Sequence, residues 1–253
     1  MPSSIVFLFA LIGWFASAHA DEITIRADIW YPHNGDPKSD SPGYMIDIAK
    51  EVFAAKGITI NYDAMPWERA LAQTREGKID CVVGAAPSDA PDFIFPTESQ
   101  GHNQNYFFVK KGHPWRYTAL ASLETIKLGV IDGYSYDDAI DKYIQDNKST
   151  TRIQSIGGAT PLEQNLKKLL VGRIDALVES GPVLQSKLAQ MRLEDQIETA
   201  GVAGAPAELF IACSPRRPKS ADFARSLSEG MIQLRSSGKL QSILAKYGLK
   251  DWK

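Results

Sequence analysis

Residues 66–80 read PWERALAQTREGKID, and residues 161–175 read PLEQNLKKLLVGRID. The two stretches align without a gap. Pro66 matches Pro161, Glu68 matches Glu163 and Leu71 matches Leu166, while Gly77, Ile79 and Asp80 match Gly172, Ile174 and Asp175. A gapless run of this kind points to a repeated structural unit. In each copy a proline opens a helix and a glycine closes it. An Ile-Asp pair then leads into an apolar run, CVVG in the first copy and ALVE in the second. The unit is a helix delivered into a strand. The Asp at the strand's start is read as holding the turn, so neither Asp80 nor Asp175 is expected to be functional.

Outward from the first copy, ITIRADI (23–29) alternates and is β-branched, which predicts a strand. Met45, Ile48, Ala49, Val52 and Phe53 share one face of a helix that Gly57 ends. ITINYDA is a second strand and IDCVVGA a third. This β-α-β-α-β order predicts a parallel sheet with right-handed crossovers. The pattern restarts after residue 112. LETIKLGVI (123–131) is a strand region, and YSYDDAIDKYIQD is a helix with Ser135 as N-cap and Asp137 and Asp138 in its first turn. TRIQSIG, the helix of the second copy and IDALVES complete a second α/β lobe.

Two extended stretches join the lobes. NYFFVKKG (105–112) leads out and ELFIACSPRRP (208–218) leads back. The helical tail, broken at Gly238, is expected to pack on the first lobe. The chain thus consists of lobe one (21–107 and 211–253) and lobe two (112–207). A hinge of two parallel-running strands, near 106–110 and 208–212, leaves a cleft between them. The fold class is α/β, with two Rossmann-like lobes joined by a two-strand hinge.

Composition narrows the function. Hydrophobic residues make up 44% and charged residues 23%, which is ordinary globular usage. A net charge of −2 gives no reason to expect nucleic acid or an anionic membrane as partner. Residues 1–20, MPSSIVFLFALIGWFASAHA, carry an apolar run of about a dozen residues, against the ~20 needed to span a bilayer. Ala18-His19-Ala20 supplies a small-x-small cleavage pattern. An exported chain beginning at Asp21 follows. The two cysteines, Cys81 and Cys213, sit in separate strand-like runs, and either a disulfide or two buried thiols fits them. His33, His102 and His113 lack metal-ligand spacing, and no CxxC, GxSxG, P-loop or GxGxxG occurs. No metal, cofactor or catalytic residue is assigned.

The series GYMIDIAKEVFAAKGI, PWERALAQTREGKID, LGVIDGYSYDD, GRIDALVESGPV and GKLQSILAKYGL, in that order, resembles bacterial extracellular solute-binding proteins of family three, the polar amino-acid type. The resemblance implies a periplasmic receptor, expected to be a monomer. It would clamp a small polar solute, amino-acid-like or cationic, between its lobes and deliver it to an ABC permease in the inner membrane.

In open α/β sheets ligands bind beyond the carboxyl ends of strands, near helix N-termini. The loops expected there are 30–35, the Pro66-Trp67 turn, 84–93, 132–137 and 179–182. They bring Trp30, Trp67, Tyr134 and Tyr136 to one cleft, with Trp30 and Trp67 as stacking surfaces and Tyr31 beside them. Ala86 and Ser88 line the loop after the third strand, and Ser135 donates to the ligand. The family carries an Arg in that loop for the ligand carboxylate; here a gapless reading puts Asp92 in its place and a shifted one Pro91, and no Arg or Lys occurs from Ala85 to Gly101. Arg69 is a candidate replacement cation. At the family's acidic position for the ligand ammonium stands Glu179 or, one residue on, Ser180. Two other readings use the same fold. One is a lyase resembling cyclohexadienyl dehydratases, with Glu179 as general acid. The other is a periplasmic sensor for a separate signalling receptor.

Overall fold

The computed structural model describes residues 21–253, so the stretch 1–20 read as an export signal lies outside the described residues. The first lobe opens with β1 (Glu22–Ala27), α1 (Tyr44–Ala54), β2 (Thr59–Ala64), α2 (Trp67–Arg75) and β3 (Cys81–Ala85). The chain then crosses on β4 (Gly101–Lys110) to β5 (Leu128–Ile131), α3 (Asp138–Asn147), β6 (Ile153–Ile156), α4 (Pro161–Leu170), β7 (Ala176–Ser180) and α5 (Gly181–Met191). It returns on β8 (Ile197–Cys213) and ends in α6 (Ser220–Ser236) and α7 (Lys239–Ala245).

Local chemistry accounts for these elements. The five apolar residues read as one face of α1 are all buried. On β1, Ile23, Ile25 and Ala27 are buried and alternate with less buried residues. β1 pairs in parallel with both β2 and β3, and β5 pairs in parallel with both β6 and β7. The tail returns to the first lobe. Phe223, Leu227 and Met231 of α6 join the cluster formed by Ile23, Ile48 and Phe53, and the Phe53 and Phe223 rings meet edge to face at 5.7 Å.

The repeated Asp has one structural task in both lobes. Asp80 Oδ2 accepts from the Thr24 backbone N–H at 2.9 Å, and Asp175 Oδ2 accepts from the Lys127 N–H at 2.7 Å. Thr24 lies on β1, and Lys127 immediately precedes β5. Each Asp therefore holds the start of the first strand of its own lobe. In the first copy, Thr24 Oγ1 and Arg217 Nε also donate to the same carboxylate.

The link between the lobes differs from the sequence expectation in four ways. The hinge strands β4 and β8 run antiparallel, because one leads out and the other leads back. β8 is 17 residues long, since it serves both lobes: its last residues pair with β3, and the rest pairs with β4. One eight-strand order, β2-β1-β3-β8-β4-β7-β5-β6, consequently runs through the molecule instead of a separate sheet per lobe. Residues 105–109 already pair with β7, which places the crossing earlier on β4. Two local readings also change. The segment before β5 is a 3-10 turn (Leu120–Thr125), and the loop expected after β7 is α5, with Pro182 in its first turn. The cysteines form a disulfide, because Cys81 and Cys213 stand opposite each other in the β3–β8 register.

Candidate functional site

The carboxyl ends of β1 and β3, the first turn of α2 and the turn before α3 meet over the hinge. They enclose a cavity of about 230 Å³. The first lobe contributes Asp28, Trp30, Asn34, Trp67, Gly84, Ala86, Ser88 and Asp89. The hinge strands contribute Asn103 and Asn105, and the second lobe contributes Tyr134 to Asp138. The 132–134 turn reaches this place because Gly133 takes φ 74°, and a Cβ there would collide with Glu68 of the facing lobe.

Side chains from the two lobes bond directly to each other. Tyr134 Oη donates to Asp28 Oδ2 at 2.5 Å, and Trp30 Nε1 donates to Glu179 Oε1 at 2.8 Å. Ser135 Oγ lies 3.1 Å from Ser88 Oγ, and His33 Nε2 lies 3.4 Å from Ser180 Oγ. The arrangement is a closed one. Asp28, Trp30 and Tyr134 also line a second cavity of about 440 Å³ on the other side of this partition.

Seven of the residues expected at the site line the first cavity: Trp30, Trp67, Ala86, Ser88, Tyr134, Ser135 and Tyr136. Tyr31 and Glu179 instead line the second cavity. Arg69 lines neither. The buried face of α2 is Trp67, Ala70, Leu71 and Thr74, which leaves Arg69 exposed. Asp92 is also a correction. It turns outward to Arg75, whose Nε and Nη2 donate to it at 2.8 and 3.0 Å on the protein surface. Nor is Ser135 the N-cap of α3. Asp137 holds that position, accepting from the Ala139 N–H, while Ser135 Oγ donates to Asp141.

Sequence reasoning missed Asp28, Asn34, Asp89, Asn103 and Asn105. Asp28 lies inside the run ITIRADI (23–29), which reads as a strand throughout. Asn103 and Asn105 carried an available signal: residues two apart on a strand face the same side, and both are buried.

Burial sets the electrostatics. Asp28 is pushed up to about 6 by desolvation, opposed by the Tyr134 hydrogen bond. Asp89 is pushed up to about 7 by desolvation, partly offset by the Ala86 N–H. Desolvation likewise raises Glu179 to about 7, with the Trp30 and Ser180 bonds acting the other way. Burial holds His33 down at about 3, so its ring is neutral. It stacks on Trp30 with centroids 4.2 Å apart. No Lys or Arg lines the first cavity. Among the described residues, no cluster of three or more His, Cys, Asp or Glu is placed to hold a metal ion, and no helix is long and apolar enough to cross a membrane.

Two α/β lobes, an antiparallel two-strand hinge and a cavity walled from both sides define a periplasmic binding protein type II-like clamp. The family model of bacterial extracellular solute-binding proteins, family 3, matches residues 25–250, and the chain belongs to that family. Solved structures agree on the fold. A histidine kinase sensor domain with similarity to periplasmic binding proteins aligns with TM-score 0.74 at 18% identity, over 91% of this chain and 98% of that one. The arginine-, lysine-, histidine-binding protein ArtJ from Geobacillus stearothermophilus aligns with TM-score 0.74 at 14% identity, over 92% and 97%. A mutant of ArgBP from T. maritima aligns with TM-score 0.73 at 15% identity, over 89% and 94%. No curated protein matches the sequence.

Proposed function

We propose that the chain is a periplasmic receptor that captures a small polar solute, cationic or amino-acid-like, in the cavity between its lobes. It delivers that solute to an ABC permease of the inner membrane. One observation carries this reading: the cavity is walled by both lobes and by the hinge, so its contacts are complete only when the lobes are closed. The rigid units are residues 21–100 with 210–253, and 105–203. Residues 101–104 and 204–209 flex between them, because residues from 105 onward are tied to β7 and residues 201–203 pair with them. The family assignment supports export, and a substrate-binding protein of an amino acid ABC transporter shares the fold at TM-score 0.70.

A sensory role is the second reading, favoured by the fold's likeness to a histidine kinase sensor domain. The lyase reading, with Glu179 as general acid, finds less support, since Glu179 lines the second cavity. Glu179 is held by Trp30 Nε1 and the Ser180 N–H and does not line the first cavity.

Native mass spectrometry of the purified chain identifies a co-purified solute, and small-angle scattering with and without it reads closure. A smaller radius of gyration with ligand is expected; an unchanged radius at saturation rejects the clamp. Uptake lost on deletion of a neighbouring permease marks transport, whereas uptake retained with a lost signalling response marks sensing.

A further inference from the structure

Four aromatic side chains of the first cavity carry a polar group, and three of those groups are used within the protein. Trp30 Nε1 donates to Glu179, Tyr134 Oη donates to Asp28, and Tyr136 Oη accepts from the Ile131 N–H at 2.9 Å. Trp67 is the exception. It opens α2, is 7% exposed and lines this cavity, and among the described residues no acceptor takes its indole N–H. The nitrogen is not sealed in the interior either, and the first cavity is the space that Trp67 borders. A nearly buried donor without an acceptor is destabilising, and lobe closure removes the water that serves it when the lobes are apart. The closed cavity therefore calls for an acceptor at Trp67.

Charge decides which acceptor. Asp28, Asp89, Asp137 and Asp138 bring carboxyl groups to the wall, and no Lys or Arg joins them. A ligand carboxylate could take the indole N–H, but it would stand among groups of its own sign with no cation to receive it. A hydroxyl or carbonyl oxygen takes the same bond without that cost. The carboxyl groups in turn favour positive charge on the rest of the solute, an attraction that needs no N–H on the ligand.

We propose that this cavity takes a compact organic cation that carries one uncharged acceptor, a hydroxyl or carbonyl oxygen, and no carboxylate, with Trp67 Nε1 as the specificity-determining donor. An amino alcohol is the simplest solute of this class. Its charge faces the carboxyl groups, and its oxygen accepts from Trp67. The cavity of about 230 Å³ suits a solute of that size. This assignment rests on the solute-capture reading and specifies the solute.

Calorimetry on the full mature chain with choline, n-propyltrimethylammonium, glycine betaine and the uncharged isostere in which carbon replaces the choline nitrogen tests it. The propyl compound keeps the charge and loses the oxygen, betaine exchanges the hydroxyl for a carboxylate, and the isostere keeps the hydroxyl and loses the charge. Choline is expected to bind at least about tenfold tighter than each, since a buried donor left unpaired carries a cost of that size. Trp67→Phe should bring choline down to the level of the propyl compound, whose own affinity stays nearly unchanged as a control for folding. Equal binding of choline and the propyl compound to the wild type would mean that the indole N–H is not used, and the inference falls. Tighter binding of betaine or of the uncharged isostere, with lobe closure, also overturns it but leaves solute capture standing. If none of the four binds, the inference falls; if no co-purified solute closes the lobes either, solute capture falls with it. Should Trp67→Phe not fold, the order of the four wild-type affinities decides alone.

Discussion

Tyr134 Oη and Asp28 Oδ2 are 2.5 Å apart, and the bond they share ties the turn before α3 to the end of β1 across the cleft. Asp28 is 8% exposed, so this donor stands where water would otherwise be. A buried hydrogen bond to a carboxyl group contributes about 1.5–3 kcal/mol when the group is ionised. Tyr134→Phe removes the donor and keeps the ring. The unliganded protein should then shift toward the open form by roughly tenfold or more, seen as a larger radius of gyration in small-angle scattering. A scattering curve identical to wild type would show that this bond does not hold the lobes together.

The three desolvated carboxyl groups predict opposite pH trends for stability and for cation binding. Burial raises Asp28 to about 6, and Asp89 and Glu179 to about 7. Between the ordinary carboxylate range and these values the folded chain holds more protons than the unfolded one. Their contribution is therefore complete below about pH 4 and is lost as pH rises to about 7. Urea denaturation at about pH 5 and about pH 8 should show the wild type losing stability relative to Glu179→Gln, which cannot titrate. Parallel slopes in the two proteins would mean that Glu179 is not raised. Affinity for an organic cation runs the other way, increasing from about pH 5 to about pH 8 as Asp28 and Asp89 ionise.

Asp92 and Arg69 should be silent in binding. Asp92 is paired with Arg75 at the surface, and Arg69 lies on the exposed face of α2. Exposed ion pairs contribute about 0–1 kcal/mol. Asp92→Asn and Arg69→Ala should therefore leave calorimetric affinity within about twofold of wild type and stability within about 1 kcal/mol. A tenfold loss in either variant would return that residue to the site.

The repeated Asp should matter unequally. Asp80 is 4% exposed and accepts from Thr24 N, Thr24 Oγ1 and Arg217 Nε, whereas Asp175 is more open and has the single Lys127 N–H. Removing Asp80 leaves the Thr24 donors unpaired while the exposed Arg217 returns to water, a cost of about 1–3 kcal/mol. Asp80→Ala should cost about that much in urea denaturation and Asp175→Ala about 1 kcal/mol. Equal losses would argue that burial does not separate the two copies.

Much of the fold was legible because its signals are local. Proline and glycine mark the ends of α2 and α4 wherever the chain goes afterward, and the α1 stripe of Met45, Ile48, Ala49, Val52 and Phe53 can be buried by only one helix face. β8 was read short because its first half is Gly- and Ala-rich, AGVAGAPAE, without alternation. Only the neighbouring β4 makes that stretch a strand. The site was legible to the level of loops. The aromatic residues at strand ends were found because such positions converge in this fold, whereas Asn34 was missed because an asparagine in a loop carries no sign of which way its amide is turned.

The sequence by itself determined the two α/β lobes, the repeated helix-strand unit with its structural Asp, the double crossing and the family, since each rests on spacing along the chain. Only the tertiary structure decided that Cys81 meets Cys213, that Asp92 faces Arg75 instead of the cavity, and that Glu179 stands behind Trp30. Those outcomes depend on strand register and on the direction of individual side chains. Both are settled by partners far away in sequence, and periodicity does not encode them.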